Sequence, residues 1–380
     1  MILINQNPDF CKAEINQCAS LSADRQAFNQ CHPCAITHLS IAEVDSLTHI
    51  ALGACLGEAM AGKKLGKRAM LIGAVVHSLP DIDVTAVLWM STPESLLAHR
   101  GFTHSFLFVA LITPVLAFIA ARWNRNKPLS YKRWIIITAL LLLAHLFVDA
   151  TNVYGVAWWE PFSHHRVMWN WIFVFDPLYS LWLVLALIAL MLLRKNSPAR
   201  RRWVRIGIGI SSFYLLTCGL IKYKIDSDVR SILKKQQVAY NDYFTTPAPM
   251  NNLLWFVVAA SDSGFHIGYR SLFDQEKKMD FHFVLRNESL LKPWQQDEDV
   301  QRLKRFSQGF YTASLQGDTV LFNDLRFGQM NGWKDKAAPF VFYYYVQYPK
   351  SNRYVLQRGR FKGWDRETFL SLLRRMGGKQ

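Results

Sequence analysis

Long apolar runs fill the first part of the chain and are missing from the second. The runs lie at residues 47–61, 69–90, 103–121, 134–153, 177–193 and 204–223. A transmembrane helix needs ~20 apolar residues at 1.5 Å per residue, so the first run is short, and Pro80 interrupts the second. The pattern therefore predicts a mainly α membrane domain, at residues 44–223, with about six helical spans.

From Lys224 onward, charged residues are spread throughout, and no apolar run is long enough to cross a bilayer. After a short helical pattern, β-like runs at 253–260, 280–285 and 339–348 are separated by glycines that neighbour Asp or Asn. Residues 224–380 are therefore predicted to form a soluble, strand-rich α+β domain with mainly antiparallel strands.

The formal net charge of +16 would suggest a nucleic-acid partner in a soluble protein. Here the basic residues instead flank the apolar runs in three clusters: Lys63, Lys64, Lys67 and Arg68; Arg122, Arg125, Lys127, Lys132 and Arg133; and Arg194, Lys195, Arg200, Arg201, Arg202 and Arg205. This is the positive-inside pattern of a multi-pass membrane protein and implies no nucleic acid. With the clusters in the cytoplasm, residues 80–101, 153–176 and the C-terminal domain are expected on the extracytoplasmic side.

Residues 1–43 have neither the apolar core of a signal peptide nor a helical period. They are expected to be a disordered leader or a mis-assigned start, because Val44 directly precedes the first motif and GTG codons can begin bacterial genes. Cys31 and Cys34 in this stretch have the C-x-x-C spacing of redox or metal sites, which is a weak signal on its own.

Histidine and aspartate recur four residues apart in the membrane domain. The pairs are Asp45 with His49, His77 with Asp81, and His145 with Asp149. This spacing puts two side chains on one helix face, and a single such pair is ordinarily a helix salt bridge. Ionisable groups at membrane depth are costly, however, and four segments bring them to the same expected membrane face. Their joint placement favours a functional site.

Histidine and aspartate without cysteine indicate a divalent cation, Zn²⁺ first and Mn²⁺ second, with the number of ions left open. Such an ion lowers the pKa of bound water and polarises a phosphoryl oxygen, so hydrolysis by metal-bound hydroxide is expected. Arg100 is suited to an anionic substrate group, since a guanidinium matches phosphate as a bidentate fork. Asp83 or His99 could move protons.

Four motifs occur in a fixed order along the membrane domain. They are Asp45-Ser46-Leu47-Thr48-His49, Pro80-Asp81-Ile82-Asp83, His99-Arg100-Gly101-Phe102-Thr103-His104-Ser105 and His145-Leu146-Phe147-Val148-Asp149. In these motifs the chain resembles the bacterial inner-membrane "membrane-bound metal-dependent hydrolase" family, which is distantly similar to zinc-dependent phospholipases C. The likeness continues through residues 152–155, 161–166 and 176–177, and into 271–274 and 324–328 of the second domain.

The resemblance implies a helical metal-hydrolase domain in the bacterial cytoplasmic (inner) membrane, with a periplasmic C-terminal domain. The metal ligands that it implies are His49, Asp81, Asp83, His104, His145 and Asp149, and the residues that it places nearby are His99 and Arg100. His77 lies outside the motifs and ranks lower. His164 and His165 are expected to be polar loop surface.

The leading hypothesis is a membrane-embedded, metal-dependent hydrolase of phosphoesterase or phospholipase type, with Asp83, His99 and Arg100 as catalytic residues. Its expected partners are the bilayer and a phosphoester or membrane-lipid substrate at the extracytoplasmic interface, and its oligomeric state is left open. One alternative is an ion or solute transporter with an intramembrane His/Asp pathway, whose ionisable groups would lie at different depths. Another is a membrane scaffold stapled by a metal in a closed four-ligand shell.

Overall fold

The computed structural model describes residues 40–126, 129–347 and 364–379. Its helical part comprises α1 (Ser40–Leu65), α2 (Lys67–His77), a 3-10 helix at Pro80–Leu88, α3 (Thr92–Ala98), a 3-10 turn at Phe102–His104, α4 (Phe106–Trp123), α5 (Tyr131–Asp149), α6 (Pro177–Leu192) and α7 (Ala199–Lys235). The leader expected at 1–43, with Cys31 and Cys34, lies outside the described residues except for 40–43, where α1 begins.

Helices α1 and α2 pack closely because glycine faces glycine between them. A Cβ atom on Gly53 would lie 2.6 Å from the carbonyl oxygen of Gly73, and one on Gly73 would lie 2.1 Å from the carbonyl oxygen of Gly53. The chain turns between the two helices at Gly66, whose φ of 63° lies in the left-handed region that favours glycine. The contact sets the middle of α1 against α2.

Three helices in the described part of the chain are long and apolar enough to cross a bilayer, namely α4, α5 and α7. Helix α2 and the 3-10 helix after it qualify together but are bent by 53° at the break, which gives up to four spans if the pair is counted as one. The break coincides with Pro80, the first residue of the 3-10 helix, because proline cannot continue the hydrogen-bonding of the preceding turn.

The expected six spans are therefore not supported. The run at 47–61 is shorter than the ~20 residues that a span needs, and α6 has only 16 residues. Both helices nevertheless pack within the bundle, where Leu183 of α6 shares a buried cluster with Ala51 of α1 and Cys218 of α7. Such helices carry hydrophobic runs like those of membrane-spanning helices, but the runs are too short to cross the bilayer.

The basic clusters meet at one end of the bundle. Arg200, at the start of α7, pairs with Glu58 of α1 at 2.8 Å and donates to the carbonyl oxygen of Leu193, just after α6, at 3.0 Å. Arg133, near the start of α5, donates to the carbonyl oxygen of Met60 in α1 at 3.0 Å. Since successive helices alternate in direction, the starts of α4 and α6 and the ends of α2 and α5 lie at the opposite end.

Side-chain caps fix where two helices begin at that opposite end. The hydroxyl of Ser105 accepts a hydrogen bond from the Phe108 amide at 3.0 Å, so α4 begins directly after it. The carboxylate of Asp176 accepts from the Leu178 amide at 2.9 Å and begins α6. The cap at Ser105 therefore places the preceding residue, His104, at the end of the helical bundle opposite the basic clusters.

The C-terminal domain contains two antiparallel sheets. One sheet has the order β1 (Asp242–Pro247), β2 (Leu254–Ala260), β3 (Gly264–Ser271) and β4 (His282–Leu285), and the other has β5 (Tyr311–Gln316), β6 (Thr319–Gln329) and β7 (Phe340–Tyr345). Helix α8 (Glu298–Phe306) precedes β5, and α9 (Arg366–Met376) follows β7. The expected β-like runs contain β2, β4 and β7, so the prediction of an antiparallel, strand-rich domain is confirmed.

Strand β2 is buried on both faces. Trp255 belongs to a cluster that includes Val229 of α7, whereas Phe256, on the other face, packs in a cluster with Leu325 of β6. Helix α7 therefore continues from the membrane part into the core of the soluble domain. The domain boundary expected after Tyr223 falls inside this helix.

Candidate metal centre

Segments far apart in the chain bring histidine and aspartate together at the end of the bundle opposite the basic clusters. His49 lies in α1, Asp81 in the 3-10 helix after α2, His104 directly before α4, and His145 and Asp149 in the last turns of α5. All are buried except Asp81, whose side chain is 24% exposed. Five of the six expected ligands thus lie in one cluster.

Four of these residues direct one ligand atom each towards a common point. His104 Nε2 lies 3.0 Å from His145 Nε2 and 3.1 Å from Asp149 Oδ2. His145 Nε2 lies 3.3 Å from Asp149 Oδ2. Asp81 Oδ1 is 3.5 Å from both imidazole nitrogens. All four atoms lie within 4.8 Å of one another.

These separations fit the ligands of a tetrahedral ion. Donors at ~2.0–2.1 Å from a tetrahedral zinc ion lie ~3.4 Å from one another. A proton shared between His104 and His145 would satisfy only those two nitrogens, whereas a divalent cation would also neutralise Asp81 and Asp149. The donor set of two imidazoles and two carboxylates is one that zinc and manganese accept.

A second group of three histidines adjoins the first. The ring of His49 lies 4.3 Å from that of His145 and 5.3 Å from that of His77, centroid to centroid, and the rings of His77 and His145 are 5.2 Å apart. One nitrogen from each lies within 4.8 Å of the others. The sequence motifs gave His77 a low rank, and the signal that pointed to it was its four-residue spacing from Asp81.

Asp83 lies behind His104 and orients it. One carboxylate oxygen of Asp83 is 3.0 Å from His104 Nδ1, the ring nitrogen on the side away from the four-atom group. The same oxygen accepts hydrogen bonds from the Thr103 hydroxyl at 2.6 Å and the Arg100 amide at 2.9 Å. A carboxylate in this position fixes the tautomer of a ligand histidine. The expected roles of Asp83 as a ligand and a proton carrier stay predictions.

His99 and Arg100 occupy different environments although they are adjacent. His99 is 30% exposed and places Nδ1 2.8 Å from Asp83 Oδ1, so it forms part of the open side of the site together with Asp81. Arg100 is buried, and its guanidinium lies 3.2 Å from Asp149 Oδ1 and 2.8 Å from the side-chain oxygen of Asn152. The expected role of Arg100 in holding a substrate anion stays a prediction, since these contacts occupy it here.

Arg166, in the loop between α5 and α6, holds the chain on which His99 and Arg100 lie. Its guanidinium donates to the carbonyl oxygens of Leu97 and His99, both at 2.8 Å. Burial, with a smaller effect from the nearby positive charges of Arg326 and Arg100, lowers the pKa of Arg166 to about 9. Arg166 ends the segment 161–166 that carries part of the family resemblance, but the sequence indicated no role for it.

The C-terminal domain packs on the elements that surround the site. The ring of Phe327 in β6 lies 4.8 Å from the ring of Tyr154 in the loop after α5. The hydroxyl of Ser91, at the start of α3, donates to Asp299 of α8 at 2.8 Å. The domain therefore covers the loop beside Arg100, which local sequence patterns had not indicated.

Two expectations from the sequence concern residues outside the cluster. His164 pairs with Glu160 at 2.6 Å and is exposed, as is His165, which confirms the prediction of polar loop surface. The side chain of Asp45, the partner expected for His49, lies outside the described residues.

The spans and the buried histidine and aspartate cluster define a multi-pass membrane protein with a candidate metal-binding site at one end of its helices. Residues 44–225 match the YdjM inner membrane protein family. The chain belongs to this family, and the family places it among inner membrane proteins, as the sequence predicted.

Two similar proteins extend the comparison. The inner membrane protein YbcI of Escherichia coli (strain K12) is 32% identical over 127 residues, which cover 33% of this chain and 72% of YbcI. The uncharacterized protein YfhP of Bacillus subtilis (strain 168) is 26% identical over 237 residues, which cover 59% of this chain and 68% of YfhP. No solved structure matches the chain.

Proposed function

We propose that the protein is a metal-dependent hydrolase that acts on a phosphoester or lipid-like substrate at the outer face of the inner membrane. The observation that carries the proposal is the group of four ligand atoms from Asp81, His104, His145 and Asp149, whose separations suit a tetrahedral divalent ion. Zn²⁺ is the first candidate and Mn²⁺ the second, because the donors are nitrogen and carboxylate oxygen.

A divalent ion at this position would supply a Lewis acid and lower the pKa of a water bound to it, which provides a nucleophile for hydrolysis at neutral pH. The protein's own residues hold and orient the donors. Asp83 fixes the ring of His104, and Arg100 fixes the carboxylate of Asp149. His99 lies on the open side next to Asp83, where it can carry a proton between the site and water.

The surroundings of Asp81 and Asp83 support a lipid-like substrate. The 3-10 helix that carries them also exposes Ile82, Val84 and Leu88, each with more than half of its surface accessible. Exposed apolar side chains that alternate with carboxylates suit a position at the membrane interface, where lipid tails and headgroups meet. A hydrolytic site built there would receive its substrate from the bilayer.

The distribution of the ionisable groups favours this proposal over transport. A pathway for ions or solutes across the bilayer needs such groups at successive depths. The described histidines and aspartates of the membrane part instead lie at one end of the bundle, opposite the basic clusters. By the positive-inside rule, the basic end belongs in the cytoplasm, so we assign the site and the C-terminal domain to the periplasmic side.

The test is a comparison of metal content and hydrolysis in the detergent-purified full chain. Wild type loaded with Zn²⁺ or Mn²⁺ is assayed on bis(p-nitrophenyl) phosphate and on phospholipid vesicles. Asp81→Asn and His104→Ala should lose the ion of the four-donor group and the activity, whereas His165→Ala, which changes an exposed loop histidine, should keep both. A folded wild type that holds metal but hydrolyses neither substrate would argue against the enzyme.

A structural metal site is the second candidate, and one specific observation favours it. Four protein ligands can close a tetrahedral shell, as they do in structural zinc sites. Under that reading, removal of the ion would lower the melting temperature, and the loaded protein would hydrolyse nothing. Under the enzymatic reading, hydrolysis would depend on the ion, and Asp81, the partly exposed donor, would lie on the side of the site that water or substrate reaches.

A further inference from the structure

We propose that His77, together with His49 and His145, binds a second divalent ion beside the four-donor position. This inference rests on the proposed function, because it adds an ion to the same centre. His77 lies outside the motifs by which the chain resembles a hydrolase family, so the inference comes from the geometry of this chain alone.

The side chain of His77 is completely buried, and neither of its ring nitrogens has a hydrogen-bond partner among the described residues. Burial of an imidazole without such partners is unfavourable, since its nitrogens lose their hydrogen bonds to water. A metal ion would satisfy one nitrogen. The polar groups that surround His77 are those of the cluster, including His49, His145 and Asp149.

The three histidines have the separations that one ion requires. One nitrogen of each lies within 4.8 Å of the other two, and all three rings are buried. His145 also belongs to the four-donor group through Nε2, and its Nδ1 is buried without a hydrogen-bond partner among the described residues. To hold both ions, His145 would ligate as an imidazolate, having released its remaining ring proton to water.

Asp149 provides negative charge to both positions. Its Oδ2 atom faces His104 and His145 in the four-donor group, whereas its Oδ1 atom lies 3.0 Å from His49 Nε2. A carboxylate with one oxygen towards each group is the arrangement that lets two cations lie close together. Three histidine ligands also leave a coordination position open, in contrast to the four donors of the neighbouring group.

The packing of α1 on α2 holds the three-histidine group together. A Cβ atom on Gly53 would lie 2.5 Å from the Cβ atom of His77, so His77 fits against α1 only because residue 53 is glycine. His49 lies one helical turn before Gly53 on the same helix face. The close approach of the two helices thus sets His77 beside His49.

The experiment counts ions. The full chain in detergent is stripped with a chelator, titrated with Co²⁺ and separated from free metal, and bound cobalt per chain is measured by mass spectrometry. Wild type and the loop control His165→Ala should bind two ions, and His77→Ala and His77→Gln should bind one. If the alanine variant does not fold, the glutamine variant is measured in its place. If neither variant folds, the number of ions bound by wild type is the test.

Different failures have different meanings. A single ion in wild type, or two ions in a folded His77 variant, would overturn the second position and leave the proposed function standing. No ion in wild type would overturn both. The weak visible absorption of six-coordinate cobalt, in place of intense tetrahedral bands, at the second equivalent would also count against the three-histidine ligand set.

Discussion

The ring of Phe327 lies 4.8 Å from the ring of Tyr154, and this contact joins the C-terminal domain to the loop beside the candidate metal centre. Tyr154 in turn lies 5.3 Å from the guanidinium of Arg100, which pairs with Asp149 at 3.2 Å. Phe327 is therefore connected to a candidate metal ligand through two intervening side chains.

Replacement of Phe327 by leucine tests this connection. We expect the metal content to be unchanged, because Tyr154 and Arg100 lie between Phe327 and Asp149, and the hydrolysis rate to fall severalfold as the loop after α5 loosens. Hydrogen exchange of the loop at 150–176 should become faster. Phe283→Leu, at an exposed position of β4, is the matched control. Unchanged exchange in the Phe327 variant would show that the contact does not hold the loop.

A pair of glycine substitutions tests the packing of α1 on α2. Gly53→Ala places a methyl group 2.6 Å from the carbonyl oxygen of Gly73, so we expect a loss of ~1–3 kcal/mol in stability and weaker metal binding. Gly209→Ala, in α7, meets nothing within 4 Å and should stabilise the protein by ~0.5–1 kcal/mol. The measurement is the melting temperature in detergent, and equal values for the two variants would contradict the structure.

The substitution Asp83→Asn tests whether Asp83 orients the ring of His104 or binds the metal ion itself. The amide cannot accept as the carboxylate does from His104 and His99, so we expect metal affinity to fall ~10–100-fold while the number of ions at saturation stays the same. Isothermal titration gives both quantities. Asp318→Asn, in the turn between β5 and β6, should leave them unchanged. A lower number of ions in the Asp83 variant would instead make Asp83 a ligand.

Glu288 predicts a pH dependence in the soluble domain. Hydrogen bonds from Lys304, at 2.8 Å, and from Tyr311, at 2.9 Å, lower its pKa below the ordinary value. A carboxylate whose pKa is lower in the folded state stabilises the fold above its unfolded pKa, and this stabilisation disappears as the pH falls through the folded value. The side chain of Glu288 is 55% exposed, so water screens its pairing with Lys304.

We therefore expect Glu288→Gln to cost about 0.5 kcal/mol or less at pH 7 and nothing once the pH is well below the folded pKa. Melting temperatures of wild type and variant, measured in parallel from pH 7 to pH 3, should converge as the pH falls. A difference that grows towards acid would give the pKa shift the opposite sign.

Membrane sidedness can be read from single cysteines. In a variant whose six native cysteines are replaced, Ser163→Cys in the loop after α5 should react with an impermeant maleimide in spheroplasts. Asn196→Cys, between α6 and α7, should react only after the membrane is opened. The reverse labelling would put the candidate metal centre on the cytoplasmic side.

The helices and most residues of the His/Asp cluster could be predicted from the sequence, because both are marked by patterns of neighbouring residues. Apolar runs mark burial, and motifs that contain His104 and Asp149 mark costly groups in a lipid environment. Hydropathy could not count the spans, since α6 is equally apolar whether it meets lipid or its neighbours. The bend at Pro80 likewise divides one apolar run into two shorter helices.

Other features depend on distances that no local pattern encodes. The motif resemblance ranked His77 low, and the spacing from Asp81 did not show that it lies buried beside His49 and His145. The segment Pro80-Asp81-Ile82-Asp83 offers two carboxylates as ligands, but it does not show that one oxygen of Asp83 lies 3.0 Å from Nδ1 of His104. Sequence spacing gives the face of a helix but not which atom of a ring points inward.

Helix α7 has 37 residues and is ~55 Å long at 1.5 Å per residue, whereas the hydrocarbon core of a bilayer is ~30 Å thick. No glycine or proline interrupts it after Gly219, and its last turns pack under β2. The C-terminal domain is thus connected to the membrane part by a continuous helix and not by a flexible linker. The helix therefore keeps the C-terminal domain at a high effective concentration beside the loop after α5. Small contacts, such as the hydrogen bond from Asn252 to the Trp171 carbonyl oxygen, are then enough to hold the domain against this loop.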